Sequence, residues 1–331
     1  MKKILVTGFA GFIGSTLVRQ LRNRYLIVAI DNFTDFSNSA IKKARAKDLG
    51  YAPQVPGDVN GVTFLNTDIC DAGSLNKIFE AHQFDVIIHL AALTGVRQSL
   101  QNPHAYLEAN VNGFLNVLEC AKMHGVKNVI YASSSSVYGL NDEVPYTESQ
   151  KTDSPISVYA ASKKANELLA HTYAHLFGIN LIGLRFFTVY GDWTRPDMAA
   201  YIFMKAIYEG NPLKLFNEGK MIRDFTHVDD VVKAISLLIE KIQQSSGGQH
   251  QIFNVGNHSP IYTIDFLRAI ENAMGKKAII ENQKIQPGDM EATNASTDTL
   301  YNYIGFKPDT KIEAGVESMV RWFLNYYSTL V

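Results

Sequence analysis

The sequence predicts an α/β protein organised as a doubly wound parallel sheet with a smaller C-terminal lobe. Three observations carry that prediction. Short apolar runs alternate with amphipathic stretches through the first half, a glycine-rich turn joins the first run to the first amphipathic stretch, and after Tyr190 the rhythm breaks into Gly, Pro and Asn punctuation. Parallel neighbours need crossover helices, and those helices cover both faces of the sheet, so its strands read as apolar throughout.

In order, Lys3–Thr7, Leu26–Ile30, Val62–Leu65, Val86–Leu90, Asn128–Ala132 and Leu181–Phe187 read as strands buried on both faces. Between them Phe12–Arg22, Leu75–Ala81, Ala105–His124 and Val158–Phe177 repeat apolar residues at helical spacing. The later stretches Val228–Ile242 and Gln251–Val255 read as a helix and a strand that rejoin the sheet. The expected division is therefore a nucleotide-binding domain over residues 1–187, with 226–257 returning to it, and a substrate-binding lobe over 188–225 and 258–331. A chain of 331 residues with 46% hydrophobic content exceeds what one compact core usually holds.

Thirty-one Lys and Arg against 32 Asp and Glu leave a formal charge of −1, so no global field recruits nucleic acid or anionic lipid. An anionic ligand needs locally placed arginines and backbone N–H groups. Cys70 and Cys120 lie far apart with no CxxC pairing, which points to a reduced, cytoplasmic setting with both thiols as small core residues. The nine histidines form no HExxH or comparable cluster, so no metal is expected. The start MKKILVTGFAGFIG imitates a secretory leader but carries three glycines and no cleavage site. No apolar stretch reaches the ~20 residues that span a bilayer, so no membrane partner is expected.

Gly8, Gly11 and Gly14 form G-x-x-G-x-x-G, with Phe12 and Ile13 inside it, directly after the first strand and at the mouth of the first helix. Glycines there allow a tight turn and let a pyrophosphate approach the free N–H groups of the helix N-terminus. Asp31, at the end of the second strand with Asn32 beside it, stands where a carboxylate bonds both hydroxyls of an adenosine ribose. It would repel a 2′-phosphate, so NAD is favoured over NADP. Asp68 and Ile69, after the third strand, read either as a border to the adenine or as a plain strand-ending acid, and Leu90, Ala91 and Ala92 leave room for a cofactor on the strand ends.

Tyr159 and Lys163 stand four apart in YAASK, hence on one face of a helix. A neighbouring ammonium favours the phenolate and makes Tyr159 a credible acid/base, while the bland alternative is an ordinary helix pair with the tyrosine packed inside. The strand before it ends in Ser133, Ser134, Ser135 and Ser136, at the carboxyl edge where such sheets bind ligands. Arg97 reads equally as a sugar or phosphate contact and as a surface arginine. His227, beside Asp224, Asp229 and Asp230, reads as the start of a helix with acids in its first turn.

The strings TGFAGFIGS, IDNF followed by KKAR, HLAALTGVRQSLQNPHAY, YASSSSVYG, YAASKKANELLAHTY, LRFFTVYGDWTRPDM, GKMIRDFTHVDD and QPGD then carry a resemblance. The chain resembles the extended branch of the short-chain dehydrogenase/reductase superfamily, with its Rossmann-type fold, and within it the UDP-glucuronate 4-epimerases. That resemblance implies interconversion of UDP-glucuronate and UDP-galacturonate by transient oxidation at C4 with tightly held NAD. It implies that Ser134, with Ser136, bonds the C4 oxygen, that Tyr159 takes its proton, and that Lys163 holds Tyr159 and the nicotinamide ribose. Thr188 and Arg195 would face the uronate carboxylate, Arg223 the diphosphate, and Phe216 and Asp289 the uridine. It also implies a homodimer through a four-helix bundle. Related dehydratases and uronate decarboxylases carry acids after the serines, where this chain has only Ser135 and Ser136, and other 4-epimerases usually have Asn where it has Thr188. The alternatives are a 4-epimerase of UDP-N-acetylhexosamines and, from another class, a non-catalytic nucleotide sensor.

Overall fold

The structure, a computed structural model, describes residues 1–34, 39–51, 58–284 and 291–330. Along the chain the elements are β1 (Lys3–Thr7), α1 (Phe12–Leu21), β2 (Leu26–Asp31), α2 (Ser39–Asp48), β3 (Asp58–Val59), β4 (Val62–Asn66), α3 (Ala72–Ala81), β5 (Val86–His89), α4 (Val96–Gln101), α5 (Pro103–Tyr106), α6 (Gly113–Met123), β6 (Asn128–Ser134), α7 (Val158–Phe177) and β7 (Asn180–Phe186). They continue with β8 (Thr188–Tyr190), α8 (Ala199–Glu209), β9 (Pro212–Phe216), β10 (Ile222–Arg223), β11 (Phe225–His227), α9 (Val228–Ile242), β12 (His250–Val255), β13 (Ile261–Tyr262), α10 (Thr263–Met274), β14 (Ile279–Gln283), α11 (Asp298–Ile304) and α12 (Ile312–Leu330).

Eight strands form one sheet in the order β12-β7-β6-β5-β1-β2-β4-β3. β1 pairs in parallel with β2 on one side and with β5 on the other, so the strand order reverses at its carboxyl end. In open α/β sheets that reversal is where ligands bind, because the crossovers on its two sides leave in opposite directions. The glycine loop sits there. The short edge strand β3 runs antiparallel to β4. Leu5, Val28, Ile87 and Val129 project from the strands into a core with Leu75, Phe79, Phe114 and Val117 from the helices.

The chain divides into two units, one comprising residues 1–141, 150–185 and 235–253, the other 142–149, 186–234 and 254–331. The second contains three two-stranded ladders, β8 parallel to β11, β9 parallel to β14 and β10 antiparallel to β13. Its core stacks Phe225 on Phe266 at 4.0 Å and packs Trp193 against Trp322 and Tyr326.

Two stretches differ from the sequence reading. Ala105–His124, expected as one α-helix, opens into a π-helical turn over Leu107–Asn112. The wider turn carries Asn110 inward, where its amide bonds both the N–H and the C=O of Leu93 and reaches Ser162 Oγ on α7. Helix α2 was not anticipated because it buries only Ile41, Arg45 and Ala46, too sparse a set to register as periodicity. Cys120 is buried as expected, but Cys70 is only half-buried, its Sγ 3.5 Å from the Glu108 carbonyl. Among the described residues no helix is long and apolar enough to cross a membrane, and no group of three His, Cys, Asp or Glu could hold a metal ion.

Candidate functional site

The glycine loop is shaped by backbone contact. Gly8 has φ 77°, and a Cβ there would lie 2.7 Å from the Ala91 nitrogen at the end of β5; at Gly14 a Cβ would lie 2.2 Å from the Gly8 oxygen. Any side chain at either position would push the first turn of α1 off the sheet. That turn holds no acidic residue, so its positive end stays available to an anion.

Asp31 is buried at the end of β2 and accepts bonds from the N–H groups of Ala10 at 3.2 Å and Phe33 at 2.9 Å. Lys42 of α2 reaches its Oδ1 at 3.1 Å, and buried Arg45 donates to the Ala10 carbonyl. The acid is therefore locked to the glycine loop on one side and faces a cation on the other. Asn32 donates to Asp68 Oδ2. Burial raises the Asp68 carboxyl, but the Cys70 N–H and the Asn32 amide outweigh it and hold the group below its ordinary value. Ile69 is buried, its carbonyl bonded by Asn116. At the end of β5, Thr7 Oγ1 pairs with buried His89 and accepts the Ala91 N–H. Burial, with nearby Lys163, pushes the His89 imidazole down to about 3, so it stays neutral.

Helix α7 has its expected bounds. Ser157 caps its start by accepting the Ala160 N–H, and Gly178 ends it in the left-handed conformation. Tyr159 lies half-buried in the first turn, with its ring edge-on to Tyr106 at 6.3 Å. Lys163, one turn on and fully buried, donates to the Ala132 carbonyl of β6 at 2.9 Å, and burial brings its ammonium down to about 8. The serine run follows directly: Ser134 Oγ donates to Ser136 Oγ and accepts the Ser136 N–H, both at 3.2 Å. Tyrosine, lysine and serines are thus tied to one strand end, since α7 packs on β6 and on the 3₁₀ turn Ser135–Tyr138.

Sequence reasoning passed over three supports of this group. Buried Glu167 on α7 takes a bidentate bond from Arg185 of β7 at 2.9 Å and accepts from Ser133 Oγ, while Arg185 also reaches the Tyr138 hydroxyl. The charge pair thereby fixes both flanks of Ser134–Ser136. The third support is Asn110. Glu167 shares the α7 face of Lys163, a spacing that offered a signal; for Arg185 and Asn110 the sequence held none.

In the second unit Thr188 opens β8 beside Phe225, and its N–H bonds the Asp224 carbonyl. Arg195 holds the Asp197 carboxylate through Nε at 3.0 Å and Nη2 at 2.5 Å. Its loop is pinned to α12 by Trp193, buried with φ 64°, and by Ser318 donating to Asp192. Arg223 lies against the Ile222 carbonyl and Met221, and half-buried Phe216 ends β9. Asp289 lies outside the described residues. In the first unit Arg97 is exposed on α4. His227 ends β11, and Asp229 and Asp230 occupy the first turn of α9, as the sequence indicated.

The model of the NAD dependent epimerase/dehydratase family matches residues 4–256. The chain is 43% identical to Protein CapI of Staphylococcus aureus, over 98% of this chain and 99% of that one. It is 40% identical to UDP-glucuronate 4-epimerase 4 of Arabidopsis thaliana, over 98% of this chain and 76% of that one. The crystal structure of a UDP-glucuronic acid 4-epimerase from Bacillus cereus, in complex with UDP-glucuronic acid and NAD, superposes with a TM-score of 0.88 at 31% identity, covering 98% of this chain and all of that one.

Proposed function

The chain belongs to the NAD dependent epimerase/dehydratase family, and from that premise we propose that this UDP-sugar 4-epimerase interconverts UDP-glucuronate and UDP-galacturonate. The observation that carries the uronate reading is Arg195, a guanidinium on a loop pinned by Trp193, which pairs with the Asp197 carboxylate and would exchange it for that of the sugar. A planar guanidinium recognises a carboxylate through paired N–H groups, and a neutral hexose offers it nothing comparable.

The first unit fits NAD on its own geometry: a glycine cradle that a Cβ would fill at Gly8 and Gly14, an acid-free helix start, and the Asp31 carboxylate. The Gly11 N–H closes the loop on the Gly8 carbonyl, so that Phe12 and Ile13 would present N–H groups to the diphosphate, Asp31 and Asn32 would hold the adenosine ribose, Asp68 and Ile69 would border the adenine, and Leu90, Ala91 and Ala92 would underlie the remainder. When bound, NAD supplies reversible hydride transfer at the sugar C4.

The chain's own side chains do the rest. Tyr159 takes the C4 hydroxyl proton and returns it, Ser134 and Ser136 hold the C4 oxygen, and Lys163 stabilises the phenolate. Oxidation at C4 of a uronate gives a β-keto acid, which loses carbon dioxide when the C5–carboxylate bond lines up with the carbonyl π system. Arg195 and Thr188 would hold that bond near the carbonyl plane. Arg223 would meet the diphosphate, Phe216 and Asp289 the uridine, and Arg97 the sugar or phosphate. Exposed Leu168, Leu176 and Phe177 on α7 with Met123 on α6 supply an apolar face for a homodimer, and the free thiols Cys70 and Cys120 suit the cytoplasm. The test is incubation with UDP-glucuronate, UDP-glucose and UDP-N-acetylglucosamine, following C4 configuration by NMR. Turnover of the uronate should dominate; preference for either other sugar overturns the assignment.

A further inference from the structure

Asp224 is fully buried, and its carboxylate meets four donors from three separate segments. Oδ1 accepts the Asn257 N–H at 2.6 Å and Thr226 Oγ1 at 3.2 Å; Oδ2 accepts the N–H groups of His258 at 3.1 Å and Ala295 at 3.0 Å. The same residue's carbonyl accepts the Thr188 N–H at 3.1 Å, and its own N–H reaches Thr293 Oγ1 at 3.4 Å. Packing around it is close. A Cβ at Gly256 would lie 2.9 Å from Oδ2, and His258 takes φ 51° to aim its N–H at the same oxygen.

Burying a carboxylate is expensive, and here burial does push the acid up from its ordinary value against the pull of those donors. A fold that needed only a turn here could close it with an amide. Only an acceptor-only group satisfies three converging backbone N–H groups, because an amide would turn its own N–H₂ against one of them. What the knot gathers is specific: Arg223 is its chain neighbour, and Thr188 hangs from its carbonyl.

We propose that Asp224 is a positioning residue for the nucleotide-sugar half of the site, setting the backbone from which Arg223 meets the diphosphate and Thr188 the sugar of a UDP-sugar. This rests on the UDP-sugar reading above. It acts through ground-state binding, because none of these groups touches the proton or hydride in transit, and NAD binding lies in the other unit.

The test compares wild type with Asp224→Asn and Thr226→Val, measuring UDP affinity by calorimetry, kcat and KM for UDP-glucuronate, and NAD content. Asp224→Asn should weaken UDP binding and raise KM about 10- to 100-fold, leaving kcat within about threefold and NAD content intact. Thr226→Val, which removes one of four donors, should do the same on a scale of about two- to fivefold. A folded Asp224→Asn protein that binds UDP as tightly as wild type, or that loses kcat at unchanged KM, overturns the proposal. If that variant does not fold, Thr226→Val decides, and unchanged UDP affinity there overturns it. Wild type that binds no UDP removes the UDP-sugar reading and this inference with it, whereas wild type that binds UDP but prefers another sugar removes only the uronate assignment.

Discussion

Lys163 carries its charge into the core, and replacing it should make the protein more stable and inactive at once. The ammonium is fully buried and makes its bond to the Ala132 carbonyl, while burial lowers it from 10.5 to about 8. In the unfolded chain it keeps its proton up to about pH 10.5, so between these values the unfolded state binds more protons and stability rises with pH. Below pH 8 both states are charged and the full penalty stands, roughly 3 kcal/mol for a shift of about 2.5 units. Lys163→Met removes that penalty and loses one hydrogen bond worth ~1 kcal/mol, for a net gain of about 2 kcal/mol near pH 7. The gain should shrink from pH 8 upward and vanish or reverse above about pH 10.5. Thermal melts of nucleotide-free wild type and variant across pH 6–11 read this directly, and turnover should fall at least ~10²-fold. A variant less stable at pH 7, or a difference that does not change with pH, would show that the ammonium is not held at this cost.

Tyr159→Phe removes the proton acceptor at nearly constant volume, so UDP-sugar binding should persist while turnover drops at least ~10²-fold; near-normal turnover means another base. Arg195→Ala should cut UDP-glucuronate turnover roughly 10²- to 10³-fold with NAD content unchanged, and the remaining turnover should leak decarboxylated UDP-pentose. Arg195→Lys should rescue poorly, because a point charge cannot fix the carboxylate plane; unchanged uronate kinetics in the Ala variant refute the role. Denatured wild-type protein should release NAD, since Asp31 repels a 2′-phosphate, and recovery of NADP as the main species contradicts that reading.

What is local was legible in the chain. The apolar runs marked seven of the sheet's strands, most within one residue of their observed ends, because a strand covered on both faces must be apolar along its whole length. Helix α7 carried both of its caps in sequence, Ser157 and Gly178, so its bounds were legible, as was the Tyr159–Lys163 face. The glycine spacing was equally local, though the sequence did not say that Gly8 is required by the approach of Ala91, 83 positions away.

Pairings across such distances emerged only with the fold. Which base meets Asp31 was open until α2 brought Lys42 to it, and α2 escaped notice because it buries so little. Glu167 and Arg185 are each unremarkable in sequence; folding makes them one buried pair, since neither charge can be desolvated without the other. The lobe beyond Tyr190 stayed unread for a related reason. Its ladders are two strands wide and β14 is exposed along its length, so no apolar period records them. The acid that gathers them, Asp224, finds its donors only once residues 257, 258 and 295 have folded back onto it, because a hydrogen bond is set by position in space and leaves no spacing in the chain.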